Sequence, residues 1–173
     1  MKDETLFADM LVLGSKSFYE NIGSDNQEDY IINVLHKAEC PVLMVPEKYK
    51  EPKNIIFAYD GSEQSVFAIK QFSYLFPYYS KLKALLIFFT NKSQEIPDCK
   101  EIEELLTCYY EDLVIKQLDI THKKDIADWM LANGNPLLVA GAFGRSMLSE
   151  SIKKSFAVDI IRHHELPVFI ADK

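Results

Sequence analysis

Two glycines and a group of polar side chains follow a short apolar run near the end of the chain. Residues 137–140 (LLVA) lack polar alternation, which is typical of a strand buried on both faces. Gly141 and Gly144 come directly after this run, Arg145 and Ser146 follow them, and a helical apolar pattern begins soon afterwards. A glycine loop between a strand and a helix lets the backbone approach an anion, which the free N–H groups of the helix start can bind. Glycines also make tight turns for steric reasons, so the spacing alone leaves both interpretations open.

The segments around this loop alternate between apolar runs of strand length and amphipathic helical patterns. From residue 54 onward, this pattern predicts five strands that alternate with four helices. Such alternation is typical of right-handed βαβ units, which build a parallel sheet covered by helices on both faces. The predicted strands are 54–59, 83–89, 113–118, 137–140 and 168–171, and the predicted helices are 62–75, 100–111, 125–132 and 156–164. The fold class is therefore α/β, with a five-stranded parallel sheet.

The glycine loop and the segment after it resemble the end of a universal stress protein domain. That family carries a glycine, two residues, a second glycine, nine residues and then Gly-Ser or Gly-Thr. A helix, a Pro-Val pair and a last strand follow. This chain has Gly141, Gly144, Ser155 and the pair Pro167-Val168 at matching positions, and it has Lys154 where the third glycine would stand. The resemblance covers nearly all of the predicted five-stranded unit.

The resemblance implies a sheet order of 3-2-1-4-5 and a possible ATP site in the cleft between the first and fourth strands. That cleft is the topological switch point, where ligands of open α/β sheets bind. Asp60, at the end of the first strand, would lie beside adenine and ribose, while the glycine loop and Ser155 would meet the phosphates. The candidate nucleotide-binding residues are therefore Asp60, Gly141, Gly144, Arg145, Ser146 and Ser155.

These residues also have purely structural interpretations. Asp60 can serve as the N-cap of the helix that follows it. The glycine loop can be a turn that is kept for packing. Lys154 carries a Cβ atom and prefers negative φ where glycine is permissive. The ammonium groups of Lys153 and Lys154 could still meet phosphate in place of backbone N–H groups. Because Lys154 stands where the family has its third glycine, we predict little affinity for ATP.

The beginning of the chain repeats its end at an offset of about 126 residues, a length typical of a whole domain. The apolar run before Gly14 parallels the run before Gly141, and residues 40–45 (CPVLMV) parallel residues 166–171. We therefore expect a tandem arrangement in which most of the first domain is missing. The expected boundaries are 1–47 for a partial unit (strand, helix and strand), 48–53 for a linker and 54–173 for the complete domain.

Composition and charge restrict the possible partners. The net charge of -7 argues against general nucleic-acid binding, which requires a basic surface. No apolar run is long enough to span a bilayer, and three cysteines without a CxxC pair favour a reducing compartment. We therefore expect a cytoplasmic protein without membrane or nucleic-acid partners.

His163 and His164 point in different directions on a helix, so we predict no metal site.

The sequence leaves more than one functional hypothesis open. In the first, the protein is a non-catalytic stress-response regulator that senses a nucleotide in the cleft. In the second, the cleft is vestigial and the protein acts through dimerisation and contacts alone. Slow ATP hydrolysis is the catalytic alternative, although no group that would hold Mg²⁺ or position water can be nominated. We also expect strands 42–45 and 168–171 to meet, within one chain or across a homodimer formed through these last strands.

Overall fold

The structure is a computed structural model, and it describes residues 2–14, 34, 37–90, 95–119, 129–130, 132, 134–141 and 166–171. The helices of this part of the chain are α1 (Lys2–Thr5), α2 (Glu63–Leu75) and α3 (Cys99–Thr107), with a 3-10 helix at Pro77–Lys81. The strands are β1 (Leu11–Gly14), β2 (Val42–Val45), β3 (Asn54–Tyr59), β4 (Lys83–Thr90), β5 (Leu113–Asp119), β6 (Pro136–Gly141) and β7 (Val168–Ala171). Residues 34, 37, 129–130 and 132 are also helical.

The strands form one mixed sheet in the order β1-β2-β7-β6-β3-β4-β5. The five strands from β3 to β7 are parallel and have the order 3-2-1-4-5, as the resemblance implies. The sheet has seven strands where five are predicted for the complete domain, because β1 and β2 of the expected partial unit extend it beside β7. β2 pairs antiparallel with β7, so the expectation that these two strands meet is confirmed within one chain. The open edge of β7 is covered by β2, which satisfies backbone groups that would otherwise be unpaired.

Each face of the sheet packs against its own apolar layer. Successive strand residues point to opposite faces, so Ile55 and Phe57 face one layer and Ile56 faces the other. The helices α2 and α3 cover the first face, with Phe72 as a fully buried contact. On the second face, the helical residue Met130 is buried against the sheet. Burial on both faces explains why the strands read as continuous apolar runs in the sequence.

The registers on the two sides of the β2–β7 contact are the same. Leu11 pairs with Val42 in β1 and β2, and the equivalent Leu138 pairs with Val168 in β6 and β7. At the antiparallel contact, Leu43 pairs with Phe169, and these two residues are themselves equivalent in the sequence repeat. The four strands are therefore related by an approximate twofold axis that passes between β2 and β7.

Aromatic side chains close the core at the end of α2. Phe76 stacks on Phe72 with ring centroids 4.9 Å apart, and Tyr79 stacks on Phe76 at 5.8 Å. Tyr74 and Tyr78 are exposed. Phe76 and Tyr79 therefore form the edge of the core, because both pack against the buried layer.

The helix predicted for residues 100–111 ends at Thr107. Beyond its end, Tyr110 is buried and Tyr109 is half-buried. The hydroxyl of Tyr110 lies 3.2 Å from Ser73 Oγ, and its ring packs edge-on against Phe57 at 5.2 Å. Loss of solvent on burial raises the pKa of Tyr110 to about 12.

This pKa predicts a loss of stability at high pH. Between about pH 10 and about pH 12, Tyr110 ionises in the unfolded chain but stays neutral in the folded one. Because the folded state then binds more protons, the free energy of unfolding should fall by about 1.4 kcal/mol per pH unit from this residue. Urea unfolding at several pH values should show that the free energy of unfolding falls less steeply with pH in Tyr110→Phe than in the wild type. Tyr78→Phe, at an exposed position, is the control and should keep the wild-type slope. Equal slopes in all three proteins would contradict the prediction.

Candidate functional site

The ends of β3 and β6 meet at the switch point of the sheet. The two strands are parallel neighbours, with Ala58 paired to Ala140. Asp60 follows β3 and Gly141 ends β6, so the fold brings these two predicted residues to the same edge at adjacent positions. β3 continues into α2 on one face, whereas the helical residues before β6 lie on the other. Open α/β sheets bind their ligands at such a point.

Gly141 is pressed against the first turn of α2. A Cβ atom at this position would lie 2.6 Å from the carbonyl carbon of Gln64 and 2.7 Å from the amide nitrogen of Ser65. Real Cβ atoms do not approach backbone atoms so closely, so this glycine is required by packing. Its contact brings the positive end of the α2 dipole beside the end of β6, an arrangement that favours an anion there.

A hydrogen-bonded group of polar side chains builds the start of α2. Ser62 is the N-cap, because its Oγ accepts the backbone N–H of Ser65 at 3.2 Å. Asp60 Oδ1 accepts both the backbone N–H of Ser62 at 3.0 Å and the Ser62 hydroxyl. The interpretation of Asp60 as the N-cap was therefore wrong by two residues. The carboxylate holds the capping serine in place, and the half-buried position of Asp60 leaves part of it accessible at the strand end.

The loop after β4 forms another wall of the site. The Tyr59 hydroxyl donates a hydrogen bond to the carbonyl oxygen of Pro97 at 2.9 Å. Gly61 has φ +78°, and a Cβ atom there would lie 2.8 Å from the Pro97 side chain. Burial, followed by the nearby Asp98 carboxylate, raises the pKa of Tyr59, so this phenol is neutral at ordinary pH.

The sequence interpretation missed Tyr59, Gly61 and Pro97 as parts of this wall. The Asp60-Gly61 dipeptide was a usable signal, since glycine after aspartate often marks positive φ. The contact of Gly61 with Pro97, 36 residues further along the chain, had no comparable signal in the sequence.

The predicted phosphate-binding part of the site lies outside the described residues. This applies to Gly144, Arg145, Ser146, Lys154 and Ser155. Within the described ranges, no group of three or more His, Cys, Asp or Glu residues could hold a metal ion. Among the helices of the same ranges, none combines the length and the hydropathy that a bilayer crossing needs.

Comparisons with known proteins assign the fold. No protein-family model matches this sequence, and no curated protein matches it. A universal stress protein from Archaeoglobus fulgidus DSM 4304 superposes with a TM-score of 0.68 at 18% identity, covering 99% of this chain. This chain therefore spans 63% of the length of that protein. A second universal stress protein structure, described as a complex with cAMP, has a TM-score of 0.49 at 15% identity and covers 70% of this chain and 98% of its own.

The superposition on the Archaeoglobus protein defines the class of fold. The chain has the α/β fold of universal stress proteins.

Proposed function

We propose that this chain is a non-catalytic, cytoplasmic stress-response protein of the universal stress protein type. The superposition with the Archaeoglobus protein over nearly the whole chain supports this class. In this proposal, the protein acts by sensing a nucleotide in the cleft between β3 and β6 and by forming dimers.

The observation that carries the nucleotide proposal is the convergence of Asp60 and Gly141 at the ends of two adjacent strands. Asp60 offers a carboxylate to hydroxyl and amino donors, such as those of adenine and ribose. Gly141 brings the start of α2 beside the cleft, where its dipole favours phosphate. The remaining phosphate contacts would come from Gly144, Arg145, Ser146 and Ser155.

Affinity for ATP should nevertheless be weak, because Lys154 replaces the glycine that follows the loop in nucleotide-binding relatives. A lysine at this position adds a Cβ atom and disfavours positive φ. The site is thus proposed as a weak adenine-nucleotide site, in which one substitution limits binding.

The proposal on domain organisation rests on the approximate twofold axis. Equal registers in the β1–β2 and β6–β7 pairs favour a duplication in which residues 1–47 are the end of a preceding unit and residues 54–173 are a complete domain. The antiparallel β2–β7 contact would then join the last strands of two related units. A homodimer can reproduce this contact by exchanging β1 and β2 between two copies.

Restoring the third glycine tests the nucleotide site. We expect Lys154→Gly to raise the affinity for ATP by at least about tenfold, which corresponds to about 1.4 kcal/mol. Isothermal titration calorimetry of ATP into the wild type and the variant measures this. Lys153→Gly is the matched control, since it removes a neighbouring lysine and leaves Lys154 in place, and it should not increase the affinity. Asp60→Ala, combined with Lys154→Gly, should remove the gain.

Two outcomes would overturn parts of this proposal. Micromolar ATP binding by the wild type would contradict the limiting role of Lys154. No ATP binding by either wild type or Lys154→Gly, together with no nucleotide in the denatured extract by mass spectrometry, would contradict nucleotide sensing. The second hypothesis, action by contacts alone, would then be favoured.

A further inference from the structure

A cavity of about 380 Å³, which is open to solvent on one side, lies at the far end of α2 from the candidate nucleotide site. Aromatic rings dominate its lining, among them Tyr74, Phe76, Tyr109 and Tyr110. Tyr74 and Tyr109 meet edge to face, with centroids 5.8 Å apart and an angle of 70° between the ring planes. The volume is in the range of small-molecule sites.

The cavity is separate from the cleft that contains Asp60. α2 has 13 residues, so its two ends lie about 20 Å apart. Asp60 precedes the first turn of this helix, whereas Ser73 and Phe76, which line the cavity, belong to its last turn and the residue after it. A ligand in the cavity would therefore not touch the nucleotide site.

One hydrogen-bond acceptor faces this lining with a defined orientation. Ser73 Oγ donates its single proton to the carbonyl oxygen of Ile69 at 2.8 Å. Tyr110, 3.2 Å from Ser73 Oγ, must then donate its own proton to that oxygen. The lone pairs of the Tyr110 hydroxyl are left able to accept a hydrogen bond from a ligand.

The electrostatics of the cavity exclude a strongly charged ligand. None of the described residues that line it is charged. Tyr110 itself remains a neutral phenol, because burial raises its pKa to about 12. Burying an ionised ligand against apolar rings without a partner charge would be costly.

We propose that this cavity binds an uncharged, planar aromatic molecule that carries a hydrogen-bond donor, with the rings of Tyr74 and Tyr109 as its stacking partners and the Tyr110 hydroxyl as the acceptor of its donor group. Edge-to-face and offset contacts with these rings select a flat apolar body. The acceptor selects molecules with an N–H or O–H group over analogues without one.

Indole is a suitable probe, because it is uncharged, flat and has one N–H donor. Calorimetry should give saturable binding with a dissociation constant on the order of 100 µM. Benzothiophene has the same shape without the N–H group and should bind at least about fivefold more weakly.

Cys108→Trp fills the cavity from an exposed lining position and should weaken indole binding at least tenfold. Glu103→Trp, at an exposed position of α3 that does not line the cavity, is the matched control and should bind indole as the wild type does.

A second readout uses the wild-type protein, so it does not depend on the folding of a variant. Cys108 lines the cavity, whereas Cys99 lies at the other end of α3. At an indole concentration of about ten times the dissociation constant, alkylation of Cys108 by N-ethylmaleimide should slow about tenfold, while that of Cys99 should not change. Peptide mass spectrometry measures both rates in the same sample.

The proposal would be overturned by the absence of saturable indole binding or by equal indole affinities of Cys108→Trp and Glu103→Trp. Equal effects of indole on Cys108 and Cys99 would also overturn it. Equal affinities for indole and benzothiophene would contradict the role of the Tyr110 acceptor.

Discussion

Gly141→Ala should lower the free energy of unfolding by about 1–3 kcal/mol, as overpacking against a rigid backbone does. The added Cβ atom would lie 2.6 Å from the carbonyl carbon of Gln64, and 2.7 Å from both the Gln64 oxygen and the Ser65 nitrogen. These are backbone atoms in the first turn of α2, so no side-chain rotation can relieve the contact. Either β6 or the start of α2 must shift.

Gly14→Ala is the matched control for this variant. Gly14 ends β1 as Gly141 ends β6, and the two glycines are equivalent in the sequence repeat. A Cβ atom on Gly14 would meet no heavy atom within 4 Å. Urea unfolding should therefore show a large loss for Gly141→Ala and a change within about 0.5 kcal/mol for Gly14→Ala. An equal loss in both variants, or none in either, would contradict the close contact between Gly141 and α2.

Gly141→Ala also bears on the nucleotide proposal. If the α2 start is displaced, the Lys154→Gly background should lose ATP affinity together with stability. A stability loss without any change in ATP binding would indicate that the start of α2 takes no part in the site.

Met44→Ala should destabilise the whole protein by about 2–4 kcal/mol, the usual cost of truncating a buried methionine. Met44 in β2 is 2% exposed and pairs with Val168 of β7. Its side chain belongs to the same buried layer as Ile56 and Ile87, which lie in β3 and β4. The loss should appear in the single unfolding transition of the sheet, because β2 shares a continuous core with the strands that carry the cleft.

Val12→Ala is the control for Met44→Ala. Val12 lies in the adjacent strand β1 and is 54% exposed, so its truncation should change stability by less than about 0.5 kcal/mol. Urea unfolding, followed by tryptophan fluorescence and by circular dichroism, measures the free energy of unfolding of the two variants. A separate, earlier transition in Met44→Ala would show that β1 and β2 unfold independently of the rest of the sheet.

Local patterns were sufficient to predict the strands, whereas the expected order of the strands came from the resemblance to universal stress proteins. The apolar runs at β3, β4, β6 and β7 are nearly continuous because both faces of a parallel sheet are buried, and this leaves a direct record in the sequence. The sequence likewise shows that the apolar run before Gly14 parallels the run before Gly141. The adjacency of Asp60 and Gly141 then followed from strand order, since both residues lie at carboxyl ends of neighbouring strands.

The details of the site depended on contacts between distant segments. The sequence could not distinguish Asp60 from Ser62 as the N-cap, because both side chains can cap a helix and only the backbone path selects one. It could not indicate that Gly141 approaches Gln64, or that Pro97 covers Gly61, since these pairs are far apart along the chain.

The sequence by itself determined the α/β class and which residues end the strands of the cleft. Only the tertiary structure decided that β2 pairs with β7 in the same chain. It also decided that Tyr110 turns inward beside Ser73, where both residues line the cavity at the end of α2. The physical reason is that periodicity and composition act over a few neighbouring residues, whereas pairing and close approach depend on where the folded chain brings distant atoms together.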